Sequence, residues 1–387
     1  MKIDLPKGSK KLLNAWAFYD WANSVYSLVI ASAVFPIFYG ALTLVKDDHG
    51  KILDDTVTFL GTDFNNDTLI SYVTAAAFLA VSVLSPLLSG IADYVGNKKV
   101  FMKFFCYLGA FSCIGLYWFS IEQLWFGLLC YFLALIGFWA SLVFYNSYLP
   151  DIAFPEQQDK ISAKGYSLGY IGSVLLLLVC LAMILMHDTF GFEDEGMPTR
   201  LSFVLTGVWW IGFSQYTYYY LPKGNKKEKF TKHVLFNGFK ELRLIWQKTK
   251  ENIALKRYLA AFFVYSMAVQ TIMLVATYFG IEELDWGNTD ATTGLIVSIL
   301  LIQLVAVLGA ILTSRSSARF GNINTLIVLN IIWIAICVYA YTITSPQQFY
   351  VTAAVVGLVM GGIQSLSRST YSKLIPEGAL DTASYFS

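Results

Sequence analysis

Long apolar runs separated by short polar stretches recur along the chain from residue 16 to residue 366. Each run is near the roughly 20 residues that a helix needs to cross about 30 Å of hydrocarbon. The pattern predicts ten membrane-spanning helices, at 16–42, 69–92, 99–120, 123–146, 165–187, 201–221, 257–280, 292–313, 323–343 and 348–366. Of the 387 residues 56% are hydrophobic and only 14% are charged, whereas soluble domains average about 25% charged residues. The sequence therefore predicts an all-α, multi-pass membrane protein.

Charge alternates in sign between successive loops. Basic or mixed loops follow every second span, at Gly96–Lys103, Asp159–Lys164, Pro222–Arg257, Arg315–Arg319 and Arg368–Lys373. The opposite loops are acidic, with Asp47, Asp48, Asp54, Asp55, Asp63, Asp67, Glu193, Asp194, Glu195, Glu282, Glu283 and Asp285. Because lysine and arginine favour the cytoplasmic side, the N-terminus is predicted to be cytoplasmic.

The longest internal polar segment, 222–256, is rich in lysine. Its apolar residues fall at roughly helical spacing, at Val234, Leu235, Phe239, Leu242, Ile245 and Trp246. This favours a basic amphipathic helix at the cytoplasmic membrane surface, with a solvated charged linker as the alternative. The segment divides a six-helix bundle, 1–221, from a second bundle, 257–387, of which four helices are present.

Two short motifs recur at matching positions of the two halves. Tyr145-Asn-Ser-Tyr-Leu-Pro-Asp-Ile-Ala follows span four, and Tyr371-Ser-Lys-Leu-Ile-Pro-Glu-Gly-Ala follows span ten. Ala92-Asp-Tyr-Val-Gly-Asn follows span two, and Ser317-Ala-Arg-Phe-Gly-Asn follows span eight. The echoes predict a duplicated architecture, and they imply that the last two helices of the second half are absent from this sequence.

The first span carries a carboxylate, Asp20, among Tyr19, Trp21, Asn23 and Ser24. An acid toward the middle of a spanning helix costs roughly 2.5–3.5 kcal/mol on insertion scales, so it normally faces protein or a water-filled cavity. Asp20 could cap the helix or pair with a lysine or arginine of a neighbouring cytoplasmic loop, which is a structural or gating role. It could instead bind substrate or a coupling proton.

The stretch Gly90-Ile-Ala-Asp-Tyr-Val-Gly-Asn-Lys-Lys fits the pattern G-x-x-[DE]-x-x-G-x-[RK]-[RK] and resembles the loop after the second helix of the major facilitator superfamily. The motif residues are Gly90, Asp93, Gly96, Lys98 and Lys99. Gly90 permits close helix approach, Gly96 a tight turn, and the lysines anchor the cytoplasmic face. The resemblance implies that Asp93 holds the two bundles together through the eleventh helix, which we expect to be absent from this sequence. The second copy has Ala318 in place of the acid.

Four further motifs narrow the resemblance: WAFYDWANS at 16–24, FYNSYLPDIA at 144–153, GYSLGYIGS at 165–173 and GGIQSLSRSTYSKLIP at 361–376. They are similar to the vacuolar amino-acid effluxer-like branch, which contains autophagy-related permeases and bacterial relatives. The resemblance implies a two-bundle fold of twelve helices, with ten present, and export of neutral amino acids across the cytoplasmic membrane of a bacterium.

The resemblance also implies which residues contact substrate or couple its movement. They are Asp20, Trp21, Asn23, Tyr145, Asn146, Tyr166, Tyr170, Tyr265, Gln270 and Gln364. Arg368 is expected to act with the Gly90–Lys99 motif in gating the conformational change. Asp20 could bind the ammonium group of an amino acid. No basic residue is predicted in mid-membrane for the carboxylate, so amide or tyrosine donors, or a broken-helix N-terminus, would have to bind it.

Other chemistry finds little support in the sequence. The five cysteines lie in apolar runs without a CxxC pair, and His49, His187 and His233 fall in three different loops. No Walker motif and no catalytic cluster is present. We therefore expect no enzyme, cofactor, metal or nucleic-acid partner, but a small-molecule substrate, the lipid bilayer and a coupling proton or other ion. The alternatives are a carrier of sugars or other small polar metabolites, and a non-transporting scaffold or sensor.

Overall fold

The computed structural model describes residues 5–46, 52–224, 234–282, 284, 286, 291–376, 378–379 and 381–387. The helices are α1 Lys10–Val25, α2 Phe35–Thr43, α3 Asn66–Val95, α4 Lys98–Gly115, α5 Leu124–Asn146, α6 Leu149–Ile152, α7 Pro155–Leu185, α8 Gly196–Tyr220, α9 Val234–Glu251, α10 Ile253–Glu282, α11 Ala291–Phe320, α12 Asn322–Ala340, α13 Pro346–Leu374 and α14 Thr382–Tyr385. A π-helix, Tyr26–Val34, joins α1 to α2, and a 3₁₀ turn, Leu116–Trp118, follows α4.

The described residues contain eight helical stretches long and apolar enough to cross a membrane. They are Lys10–Thr43, Asn66–Val95, Lys98–Trp118, Leu124–Ile152, Pro155–Leu185, Thr293–Phe320, Asn322–Ala340 and Pro346–Leu374. The all-α, multi-pass prediction is therefore confirmed. Two more helices, α8 and α10, occupy the remaining predicted spans, and the many Trp and Tyr residues of α8 lower its hydropathy. The predicted number of ten is an approximation.

The first span is longer than predicted and changes its helical form along its length. It begins at Lys10, and its middle third is the nine-residue π-helix. Ser32 Oγ donates a hydrogen bond to the Ser27 carbonyl, five residues earlier, at 2.8 Å. Pro36 stands in the first turn of α2, where its missing N–H is tolerated. Pro36 therefore lies where the wider π-helix turns back into an α-helix.

Two short antiparallel hairpins lie between the first two spans, and the sequence did not predict them. They pair β1 Val45–Lys46 with β2 Ile52–Asp54, and β3 Thr56–Phe59 with β4 Thr62–Asn65. Leu60 and Gly61 both have positive φ at the tip of the second hairpin, as a two-residue type I′ turn requires. The predicted loop acids Asp47, Asp48, Glu283 and Asp285 lie outside the described residues.

The chain divides into two compact units of mutually contacting residues. The first comprises 1–21, 147–174 and 243–385, and the second 22–146, 175–242 and 386–387. These units group the beginnings of α1 and α7 with the C-terminal helices. The division into bundles at 221 and 257 stays a prediction, as does the membrane-surface position of α9.

In each unit, glycines allow neighbouring helices to pack with their backbones in contact. In the first, a Cβ on Gly357 or Gly361 of α13 would lie 2.5 or 2.0 Å from a backbone carbonyl of α11, so the two backbones touch. In the second, a Cβ on Gly137 of α5 would lie 2.4 Å from the backbone nitrogen of Gly109 in α4. Small residues permit such approach where lipid leaves little hydrophobic force between helices.

The two copies of the duplicated motif form similar helix–turn–helix junctions. Gly96 separates α3 from α4 with φ 68°, and Gly321 separates α11 from α12 with φ 84°. Both φ values are positive, which glycine adopts without strain, but ψ is 32° at Gly96 and 154° at Gly321. The sequence echo therefore corresponds to a glycine of positive φ at each junction, in two different backbone conformations.

Candidate functional site

A buried ion pair joins the first span to the tenth within the first unit. Arg368 Nη2 donates to Asp20 Oδ2 at 2.9 Å and Nη1 donates to Oδ1 at 3.3 Å. The side chains are 4% and 5% exposed. Two parallel hydrogen bonds join the planar guanidinium to the carboxylate. They fix the relative orientation of the two groups as well as compensating their charges.

Helix α7 supplies the hydrogen-bond partners that orient the guanidinium. Arg368 Nε donates to Ser162 Oγ and Nη2 donates to the Ser162 carbonyl, both at 2.9 Å. Ser162 Oγ in turn donates to the Ser365 carbonyl of α13 at 2.7 Å. The arginine is therefore held on the edge that faces α7 while its other edge meets Asp20.

Two aromatic rings lie close to the same guanidinium. Its Cζ is 4.1 Å from the centroid of the Tyr166 ring and 4.8 Å from that of the Trp16 ring. Cations are attracted to the faces of aromatic rings, most strongly where water is excluded. Hydrogen bonds, the ion pair and the rings together fix the side chain in one orientation.

The ion pair fits only because residue 165 has no side chain. A Cβ at Gly165 would lie 2.3 Å from Asp20 Oδ2 and 2.9 Å from Arg368 Nη2. Two turns further along α7, a Cβ at Gly172 would lie 3.0 Å from the Trp21 carbonyl. The glycines of the GYSLGYIGS motif therefore let α1 approach α7 closely.

The bounds of the two helices show where both charges lie. Asp20 lies near the middle of α1 and not at a helix start, so it does not cap the helix. The tenth span was predicted to end at residue 366, but α13 continues to Leu374. Arg368, which was predicted in a cytoplasmic loop, therefore lies within the last two turns of a helix. The expectation that no basic residue lies in mid-membrane stays a prediction.

Other predicted site residues gather around the ion pair in the first unit. Tyr170 OH donates to Gln364 Oε1 at 2.7 Å, which links α7 to α13. Tyr265 OH lies 2.7 Å from Ser367 Oγ, next to Arg368 in the chain. Gln270 is exposed. The structure thus groups most of the predicted residues of spans one, five, seven and ten.

The remaining predicted substrate residues belong to the second unit. Asn23 and Tyr145 are buried and Asn146 is half-buried. Among the described residues, the Nδ2 atom of Asn23 has no hydrogen-bond partner.

The glycine-and-lysine motif after α3 joins the end of α8. Lys99 is buried, and its Nζ donates to the Leu221 carbonyl at 2.6 Å, just beyond the last residue of α8. A positive charge is favoured at a helix C-terminus. Asp93 and Gly90 are buried near the end of α3, and Lys98 is half-buried at the start of α4. Any contact of Asp93 with an eleventh helix stays a prediction.

A second charged cluster, around Asp159 of α7, was missed by sequence reasoning. Asp159 Oδ2 accepts from Lys373 Nζ at 2.6 Å and from Ser317 Oγ at 3.1 Å. Asp159 Oδ1 accepts from Asn322 Nδ2 at 2.9 Å. The second copy of the motif, which has Ala318 instead of an acid, therefore meets an acid supplied by another helix. The one sequence signal was that Asp159 and Lys373 both lie in loops predicted on the same side.

The whole chain resembles one protein family. Residues 8–159 and 153–387 match the family described as "Vacuole effluxer Atg22 like". A Bacillus subtilis (strain 168) protein named "Uncharacterized MFS-type transporter YxiO" is 33% identical over 376 residues, which cover 94% of this chain and 81% of that protein. "Autophagy-related protein 22" of Coccidioides immitis (strain RS) is 25% identical over 483 residues, which cover 96% and 77%.

Solved transporters share the fold. The transporter FucP in the outward conformation has a TM-score of 0.61 at 12% identity, over 97% of this chain and 88% of that one. A bacterial homologue of the iron transporter ferroportin, in the outward-facing state, has a TM-score of 0.53 at 15% identity, over 97% and 87%. The family match and these likenesses together indicate a multi-pass membrane transporter of major facilitator type, and the chain belongs to the vacuole effluxer Atg22-like family.

Proposed function

We propose that this protein is a secondary active transporter that exports neutral amino acids, and that the Asp20–Arg368 contact closes its pathway at the cytoplasmic end. The observation that carries the proposal is the buried, two-bonded ion pair between spans one and ten. With the N-terminus in the cytoplasm, both residues lie toward the cytoplasmic ends of their helices. Closure there would leave the pathway open only to the other side of the membrane.

The energetics of a buried ion pair suit a contact that must open and close. Its mutual attraction is largely offset by the cost of removing both charges from water. When the helices separate and water enters, both charges are hydrated again, so opening costs little. Removal of one partner, by contrast, leaves a buried charge uncompensated and costs about 3–5 kcal/mol.

The energy for transport would come from a gradient. We propose a coupling proton or other ion, because the sequence carries no nucleotide-binding motif. Such coupling would act at the Asp20–Arg368 contact, because an unpaired carboxylate within a spanning helix is strongly disfavoured.

A carrier of sugars or other small polar metabolites is the second candidate. Tyr170 and Gln364 offer hydroxyl and amide groups that already form a hydrogen bond at 2.7 Å, and such groups also suit hydroxyl recognition. Two structural neighbours are a fucose:proton symporter and a proton:xylose symporter. At 10–12% identity this likeness supports the fold and leaves the substrate open.

Counterflow separates these candidates. The complete protein in proteoliposomes would be loaded with unlabelled leucine or tyrosine, and uptake of the labelled amino acid followed with and without external fucose or xylose. We expect exchange of both amino acids and no competition by the sugars.

Two variants test the role of Asp20 in the same assay. Loss of exchange in Asp20→Asn, with exchange retained in Asp188→Asn, whose side chain is 88% exposed, would assign Asp20 to the pathway. Folded protein that exchanges only sugars would establish the second candidate. A folded protein that exchanges none of these solutes and gains no thermal stability from them would support the scaffold or sensor.

A further inference from the structure

We propose that Asp20 and Arg368 are also the ligands of the substrate's two charges: Asp20 binds the α-ammonium group and Arg368 binds the α-carboxylate. A zwitterionic α-amino acid would replace each residue's partner in the closed contact. The inference rests on the proposed function and specifies how its site recognises substrate.

The two opposite charges of the ion pair are complementary to the two charges of a zwitterion. Its carboxylate and guanidinium are already desolvated and meet at 2.9 Å. When the helices move apart, each charge exchanges its partner for water, and a bound ligand displaces that water. A ligand with an ammonium group and a carboxylate on the same carbon compensates both charges together. An amine or a carboxylic acid alone compensates one and leaves the other buried and unpaired, which is costly.

Arg368 is held ready for a carboxylate. Ser162 binds its Nε and Nη2 atoms, and the rings of Trp16 and Tyr166 lie beside the guanidinium. The edge that now meets Asp20 therefore keeps its direction when Asp20 moves away. A planar guanidinium binds carboxylates through two parallel bonds, and a fixed one does so at low entropic cost. Arg368 thus supplies a cationic partner for the carboxylate, which the sequence had assigned to amide or tyrosine donors or a broken-helix N-terminus.

Binding and opening are linked by this arrangement. Substrate and closure compete for the same two charges, so a bound amino acid favours the state in which the helices are apart. A ligand shifts a conformational equilibrium only through its different affinities for the two states. Both charges of an amino acid interact with the open pair alone, which supplies that difference.

The test compares leucine with two analogues that each lack one charge. Leucinamide lacks the carboxylate, and 4-methylpentanoate lacks the ammonium group. In proteoliposomes, we expect unlabelled leucine to inhibit labelled leucine counterflow at concentrations at least about tenfold below those needed for either analogue. Because Asp20→Asn is expected to lose exchange, binding to the variants is followed by thermal shift with the same three ligands. In Asp20→Asn leucine and 4-methylpentanoate should give equal shifts, and in Arg368→Gln leucine and leucinamide should give equal shifts.

Asp159→Asn is the matched control. It removes another largely buried carboxylate of the same unit, one that also pairs with a basic residue of α13. In this variant, the ratio between the inhibitory concentrations of each analogue and of leucine should equal the ratio in the unaltered protein. Equal inhibition by leucine and leucinamide in the unaltered protein would overturn the inference and leave amino-acid export standing. Absence of leucine exchange from folded protein would overturn both. The comparison of ligands on the unaltered protein decides the matter even where a variant does not fold.

Discussion

Asp20 and Arg368 stand 348 positions apart in the sequence, and their side chains meet through two hydrogen bonds in a buried site. The contact connects the motif that opens the first span with the motif that ends the tenth. Both motifs carry the family resemblance, and the ion pair gives a physical reason for their joint presence. A carboxylate and a guanidinium within spanning helices are each costly alone and are tolerated as a pair.

Gly165→Ala should disrupt the closed contact without changing any charge. The new Cβ would lie 2.3 Å from Asp20 Oδ2, so the carboxylate or the whole of α1 must move. We expect at least about a tenfold loss of counterflow and a lower melting temperature, consistent with overpacking costs of about 1–3 kcal/mol.

Gly212→Ala is its control, since a Cβ on Gly212 of α8 meets no atom within 4 Å. Alanine is favoured over glycine within helices by about 1 kcal/mol, so this variant should be as stable as the unaltered protein or more so. Equal effects of the two substitutions would contradict the role assigned to Gly165.

The Asp159–Lys373 pair should show energetic coupling in a double-mutant cycle. The two groups are 2.6 Å apart, and their side chains are 11% and 25% exposed, so solvent screens the pair only in part. Unfolding measurements on Asp159→Asn, Lys373→Met and the double variant should give a coupling free energy of about 1–2 kcal/mol. Additive effects would show that the contact contributes nothing to stability.

Gly321→Ala should lower the melting temperature, although a Cβ there meets no atom within 4 Å. The residue has φ 84° and ψ 154°, a combination that residues with a side chain strongly disfavour, so we expect backbone strain of about 1–3 kcal/mol. Gly212→Ala, whose Cβ also meets no atom within 4 Å but which lies inside α8, should show no such loss. Equal melting temperatures of the two variants would show that α11 and α12 are joined by a different backbone conformation.

Much of the fold was predictable because the membrane imposes a simple pattern. Apolar runs of about 20 residues gave the spans, although their ends were placed too early, as at residue 366. That error placed Arg368 in a loop, because a helix that continues beyond the apolar run carries polar residues on a protein-facing side. Pairing of charges is a three-dimensional property, so neither the Asp20–Arg368 contact nor the Asp159 cluster could be deduced from spacing. The π-helix of the first span leaves no distinct pattern in its nine residues.

The accessibility of residue 365 tests the closing role of the ion pair most directly. Ser365 is buried, and it lies on the same face of α13 as Arg368, one turn before it and therefore on the membrane side of the contact. Cysteine can replace it, since its hydroxyl bonds only carbonyls of its own helix. The parent protein would carry Cys337→Ser, because Cys337 is exposed whereas the other four cysteines are buried.

Labelling of Ser365→Cys by a membrane-impermeant maleimide would be followed from the cytoplasmic side, in inside-out vesicles. With the ion pair intact the rate should be low. Asp20→Asn should raise it at least about tenfold, because a contact that loses one charged partner is destabilised by several kcal/mol, and Asp188→Asn should leave it unchanged. Equal labelling rates with and without Asp20 would contradict the claim that this ion pair closes the cytoplasmic end of the pathway.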